Sequence, residues 1–261
     1  MSRLHLFEFE DLKWFPSFLR NYGTDFLQFL ANKTPMFDPA VPIIQKALDN
    51  NDAKLIIDLG SGGGGGLLRI NKALLKENPG VKILLTDYYP NIAAFEYTKK
   101  QAENISFFET SIDARNVPDH LRGLRTMFLS LHHFKPEDAR LILQNAVDSK
   151  SPIAIFEGQE RSAASLIAMF FSPLTVLLTT PLIRPFKFWR IVFTYLIPIV
   201  PLFVWWDGMV SSLRTYSVVE MEQLVDGLKN KNHFDWEIKR IKSGPGIVLY
   251  LVGVPKYMAA E

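Results

Sequence analysis

Gly60 and the five consecutive glycines from Gly62 to Gly66 follow the apolar run Leu55-Ile56-Ile57 and the carboxylate of Asp58. Such a loop can bring its backbone against a ligand, because no Cβ stands between them. A second apolar run, Ile83-Leu84-Leu85, leads to Asp87, placed where the end of a strand would offer a carboxylate to ribose hydroxyls. Asp58 would repel a pyrophosphate but not a cationic group, which favours a positively charged cofactor over a dinucleotide. The adjacent His132 and His133 are further groups able to move a proton near neutral pH. A neutral imidazole there could deprotonate a hydroxyl, or the same side chains could close a turn by hydrogen bonding. Glu157 and Glu160 are either acceptor-facing carboxylates or solvated loop charges. Asp207 and Arg214 lie in a stretch that mixes polar and aromatic groups as a substrate-facing wall would, unless they pair with each other.

The elements that must position these residues alternate. Strand patterns near 54–59, 81–86, 105–109, 125–130 and 152–157 are separated by helical stretches, which predicts a mostly parallel sheet with helices on both faces. Ligands in such sheets bind beyond the carboxyl ends of the strands. That rule puts Gly60, Gly62, Asp87, Asp113, Ser130 and Glu157 on one rim. Residues 234–242 and 247–254, joined by Ser243-Gly244-Pro245-Gly246, read as a β-hairpin. Ser217, with Glu220 three residues on, reads as a capping box opening a helix that runs to about Leu228.

Several segments, in the expected order, resemble class I S-adenosylmethionine-dependent methyltransferases, in particular those acting on small molecules and quinones. Leu55 to Gly65 resembles the family's first motif and Leu84 to Pro90 its second. Ser111 to Pro118 resembles its D-A-x-x-L-P segment, with Val117 in place of Leu, and Thr126 to Phe134 resembles the fourth strand with its H-H-F turn. The resemblance implies an α/β fold: a Rossmann-like seven-stranded, mostly parallel sheet with an antiparallel final strand. It implies S-adenosylmethionine as cofactor, held by Asp58, Gly60, Ser61, Gly62, Gly64, Asp87, Tyr88, Ile112, Asp113, Ala114 and Ser130, with Asp113 beside the adenine amino group. It further implies that the segment before the first motif covers the cofactor, with Trp14, Phe15 and Tyr22 lining the acceptor pocket. Catalysis would rest on proximity, with His133 or His132 as an optional base.

Composition narrows what surrounds this core. The 261 residues suit one elaborated α/β domain, and 29 basic against 27 acidic residues give no global case for a nucleic-acid partner. There is no cysteine, so disulfides, thiolate metal sites and cysteine nucleophiles are excluded. The five histidines show no metal-ligand spacing, and no metal is expected. The opening segment lacks the apolar stretch of a secretory signal, so a cytoplasmic location is expected. Residues 163–183 and 191–206 carry no charge, whereas Arg184, Lys187 and Arg190 fall between them. These runs read as a membrane hairpin with a basic turn, as broken helices lying in one leaflet, or as a hydrophobic lid or dimer interface. Four regions result: a helical cover over 1–52, the cofactor-binding core over 53–160, an apolar, membrane-associated insertion over 161–206, and a helix and hairpin over 207–261 completing the core. The expected activity is methyl transfer to oxygen of a hydrophobic or lipid-like acceptor. A non-catalytic membrane-associated cofactor-binding protein and a nicotinamide-dependent oxidoreductase are the alternatives.

Overall fold

A computed structural model describes residues 2–49 and 53–256, so the region limits at 1, 52 and 261 lie outside the described residues. A 3₁₀ turn at Phe9–Asp11 precedes α1 (Ser17–Lys33) and α2 (Ala40–Asp49). Alternation follows through β1 (Leu55–Leu59), α3 (Leu67–Glu77), β2 (Lys82–Thr86), α4 (Ile92–Gln101), β3 (Ile105–Phe107), β4 (Leu124–Phe128), α5 (Pro136–Asp148) and β5 (Ile153–Glu157). Then come α6 (Ala163–Phe170), α7 (Ser172–Thr179), the single turn α8 (Phe188–Ile191) and α9 (Ile199–Arg214). The chain closes with α10 (Val218–Asp226) and the hairpin β6 (Phe234–Ser243) and β7 (Gly246–Pro255). Helix α10 starts on the expected capping box, in which Ser217 and Glu220 satisfy each other's backbone N–H groups.

The strands form one sheet in the order β3-β2-β1-β4-β5-β7-β6. Strands β1 to β5 are mutually parallel, and β7 runs antiparallel to both β5 and β6. Neighbouring strand residues face opposite ways, so Ile57, Met127 and Ile155 pack with α5 and α10, whereas Ile56, Phe128 and Phe156 pack with α2 and α3. Residues 108–123, between β3 and β4, contain no helix, contrary to the simple alternation. Pro118 and Gly123 interrupt any helical run there, and the segment crosses the sheet end as a loop. The strand order reverses between β1 and β4, which opens a crevice above their carboxyl ends.

A third apolar cluster lies outside the sheet. Phe15, Leu19, Tyr22 and Phe26, on and before α1, pack against Val176, Ile183, Val200 and Phe203. A buried charge clamp fixes this arrangement: Asp25 Oδ2 of α1 accepts from Lys187 Nζ and from Arg190, each at 2.7 Å. Two of the three cations expected at a membrane face are therefore spent inside the protein. Helix α9 continues unbroken from the apolar segment through position 206 to Arg214. Among the described residues no single helix is long and apolar enough to cross a membrane; α6 with α7, and α8 with α9, form two bent apolar pairs. Their outer side chains are nevertheless open, with Leu178 and Leu196 each 77% exposed and Phe170, Phe188, Trp189 and Leu202 all more than half exposed.

Candidate active site

A cavity of about 390 Å³ occupies the crevice at the strand-order reversal. Gly60, Ser61 and Gly62 after β1, Asp87 and Tyr88 after β2, Ile112, Asp113 and Ala114 after β3, and Ser130 and His133 after β4 all line it. The glycine turn lies close under α1: a Cβ on Gly63 would stand 2.8 Å from the carbonyl oxygen of Thr24. Asp87 braces this turn, its Oδ2 accepting from the Gly62 N–H at 2.7 Å and its Oδ1 from the Tyr89 N–H at 2.7 Å. Both oxygens keep a second lone pair for a ligand donor. The Ser130 hydroxyl is buried without a hydrogen-bond partner among the described residues. Leu129 beside it has φ +51°, an uncommon conformation for a side-chain-bearing residue, of the kind found where structure is held for function.

Several expected site residues stand elsewhere. Asp58 is buried in the sheet, accepting the Thr126 hydroxyl at 2.7 Å, and burial pushes its carboxyl up to about 7. Gly64 turns away from the cavity towards Thr98 and Gln28. Trp14 is 71% exposed, and Phe15 and Tyr22 belong to the third apolar cluster, so none of the three aromatics lines the cavity. No residue of the apolar segment 163–206 lines it either. Glu157 is fully buried and holds His132, accepting from its backbone N–H at 3.1 Å and bonding its Nδ1 at 2.8 Å. His132 is accordingly a structural residue of the turn. Asp207 and Arg214 do not pair with each other. Asp207 instead accepts from the backbone N–H groups of Phe9 and Glu10, and Arg214 binds Glu8, Asp11 and the Leu6 carbonyl.

These contacts fold the N-terminal strap into the site. Glu8 Oε2 and Asp11 Oδ1 each lie 2.9 Å from His133 Nδ1. Burial opposes charge on the imidazole, yet the two carboxylates outweigh it and raise its pKa well above the ordinary value. His133 is thus a cation whose ring donates rather than accepts, which removes it as a resting-state base. Glu10 also lines the cavity, and its carboxyl makes no hydrogen bond or ion pair with the described residues. Burial first, and then the neighbouring Asp207 carboxylate, lift Glu10 well above the usual carboxylate range. Gly23 makes room for it, since a Cβ there would meet Glu10 Oε1 at 2.5 Å. Glu8, His132 and His133 offer ligand atoms within 4.8 Å of one another, contrary to the expectation that the adjacent histidines would not converge. Positive charge there is already supplied by protonated His133 and by Arg214, 3.3 Å from Glu8.

Helix α1 supplies the rest of the roof through Arg20, Asn21, Thr24 and Gln28. These recur at helical spacing opposite Leu19, Tyr22 and Phe26, a polar stripe that was available in the sequence beside the apolar one. Glu10 and Asp11 left no such signal, because their partners are distant in the chain.

No protein-family profile matches the chain, and no curated protein matches it in sequence. Solved structures do resemble it. The plantazolicin methyltransferase BpumL in complex with SAH shares 14% identity and a TM-score of 0.54, covering 92% of this chain and 88% of its own. The methyltransferase domain of bacterial CtHen1 shares 13% identity and a TM-score of 0.50, covering 84% of this chain and 99% of its own. An O-methyltransferase family protein from Burkholderia thailandensis shares 16% identity at a TM-score of 0.47; this chain, matched over 84% of its length, spans 56% of that protein. At these identities the likeness is one of architecture. The chain has the fold of S-adenosylmethionine-dependent methyltransferases.

Proposed function

We propose that this chain transfers a methyl group from S-adenosylmethionine to an oxygen of a hydrophobic or lipid-like small molecule, at the cytoplasmic surface of a membrane. The observation that carries the reading is one cavity lined by two chemically different sets of residues. One set is the glycine turn, Asp87, Asp113 and the Ser130 hydroxyl, unpartnered among the described residues, which suit a nucleoside-containing cofactor: backbone approaches closely, and Asp87 retains lone pairs for ribose hydroxyls. The other set is Glu10, Asp11 and His133, which suit an acceptor that must lose a proton. When bound, S-adenosylmethionine supplies an electrophilic methyl carbon. The protein then has to align the acceptor and receive its proton. Glu10 fits the second task, because a carboxyl without a partner and with a raised pKa is a stronger base once ionised. Cationic His133 fits a donor role, orienting the acceptor oxygen. The exposed apolar face of residues 163–206 supports a membrane location and a poorly soluble acceptor. That face lies behind α1 and not in the cavity, so an acceptor would arrive from the membrane surface around the cover.

Binding of S-adenosylmethionine, measured by calorimetry, tests the cofactor half. Asp87→Ala is expected to weaken it by roughly 1.5–3 kcal/mol, the cost of losing hydrogen bonds to a charged acceptor. Unaltered affinity in the folded variant would remove Asp87 from the site. Transfer of labelled methyl to a lipid extract tests the acceptor half.

A further inference from the structure

Beside the exposed apolar face lies a groove of opposite character, of about 440 Å³, on the flank of α1 next to the cavity, with Gln28 lining both. Lys33 at the end of α1, Arg69 and Lys72 on α3, and Arg184 all line it. Lys33 and Lys72 have no carboxylate partner among the described residues. Arg184 bonds only to the backbone carbonyls of Pro181 and Ile183. The groove's acidic residue, Asp25, is already held by Lys187 and Arg190, and Arg69 is paired with Asp38. The groove therefore carries surplus positive charge. Its wall also includes Leu182, 60% exposed, and the exposed Leu178, Phe186 and Phe188 lie close to it in sequence.

We infer that this groove receives the phosphate of an anionic phospholipid while the adjoining apolar side chains enter the acyl region of the same bilayer. The inference rests on the membrane reading above and adds to it a defined headgroup site. One molecule that suits both surfaces is an anionic phospholipid, in which a phosphate is joined through glycerol to acyl chains. Basic side chains at a bilayer surface each add a modest, screened attraction, so a cluster acts together.

Vesicle co-sedimentation tests this with the full chain and with the triple variant Lys33→Glu, Lys72→Glu, Arg184→Glu. All three side chains are exposed and lie outside the cavity, so S-adenosylmethionine binding serves as the check that the variant is folded. The wild type is expected to partition onto phosphatidylcholine vesicles containing phosphatidylglycerol far better than onto phosphatidylcholine alone. The triple variant should lose on the order of a hundredfold on the anionic vesicles and little on the neutral ones. Equal binding of the wild type to both vesicle types would overturn the headgroup site and leave the membrane reading standing. Binding to neither, or a dimer formed through the apolar face, would overturn both. Full competition by millimolar inorganic phosphate would assign the groove to a soluble anion instead.

Discussion

Glu10 and His133 face the same cavity with opposite tendencies. His133 is held positive by two carboxylates, whereas Glu10 is driven towards its neutral form by burial and by Asp207. At neutral pH each therefore carries the proton that its ordinary value would place elsewhere. A base of this kind becomes more available as pH rises, so turnover should climb with pH through the raised pKa of Glu10. Glu10→Gln is expected to lower turnover by about 10²-fold or more and to abolish that climb, with cofactor affinity unchanged. A loss below about tenfold would leave alignment as the main contribution. His133 in its ion-paired state works in the other sense. Its stabilising contribution is complete below the ordinary imidazole pKa and is lost only as pH rises through the raised folded value. Sequence inspection could find His133 because two adjacent histidines after a strand are conspicuous. It could not find Glu10, which resembles any charge in an acidic N-terminal segment until Asp207, nearly two hundred residues away, is folded against it.

Helix α1 separates two environments. Arg20, Asn21, Thr24 and Gln28 look into the cavity, while Leu19, Tyr22 and Phe26 look into the apolar segment, and Asp25 ties the segment down. Asp25→Ala should cost about 3–5 kcal/mol in urea unfolding, because it leaves a buried guanidinium, that of Arg190, without its counter-charge. An effect under 1 kcal/mol would mean that the carbonyls of Ile183 and Pro185, which also accept from Arg190, suffice for it. The same geometry changes what removal of the apolar segment would do. From the sequence it is an appendage of the acceptor side, separable from cofactor binding. In the structure its loss would uncover the back of the cofactor roof. The alternating strands, the hairpin and the capping box were legible because each is local: period, turn residues and a three-residue spacing. The packing of the apolar segment on α1 was not, since an uncharged run gives the same pattern whether protein or lipid covers it.

For the molecule as a whole, buried acids shape the response to pH. Asp58 is pushed up to about 7 by burial, and the Glu10 and Asp207 pair is raised as well. Between the ordinary carboxylate pKa and these raised values the folded protein binds more protons than the unfolded chain, so stability falls as pH rises through that window. Glu8 and Asp11 are shifted the other way, and their contribution is lost only in more acid solution. The cofactor-free protein should thus melt at a higher temperature near pH 5.5 than near pH 8. Asp58→Asn should flatten this dependence by roughly 1–3 kcal/mol across the interval, read by calorimetry at both pH values. An unchanged slope would show that Asp58 remains ionised in the sheet.

The strap of residues 3–11 has a consequence for how the protein is made. Its contacts include Arg20, His132, His133, Phe134 and the span from Trp206 to Arg214. During synthesis the ribosome delivers Glu8, Glu10 and Asp11 first, His133 about 120 residues later, and Asp207 and Arg214 only some two hundred residues later. Strands β1 to β4 and their loops emerge together in between. A nascent chain can therefore assemble the glycine turn with Asp87 and Asp113 while Glu10 and Asp11 still lack Asp207 and Arg214, because pairings so distant along the chain must wait for its slowest closure. On the proposed reading, the groups that would receive the acceptor's proton are the last to be set in place.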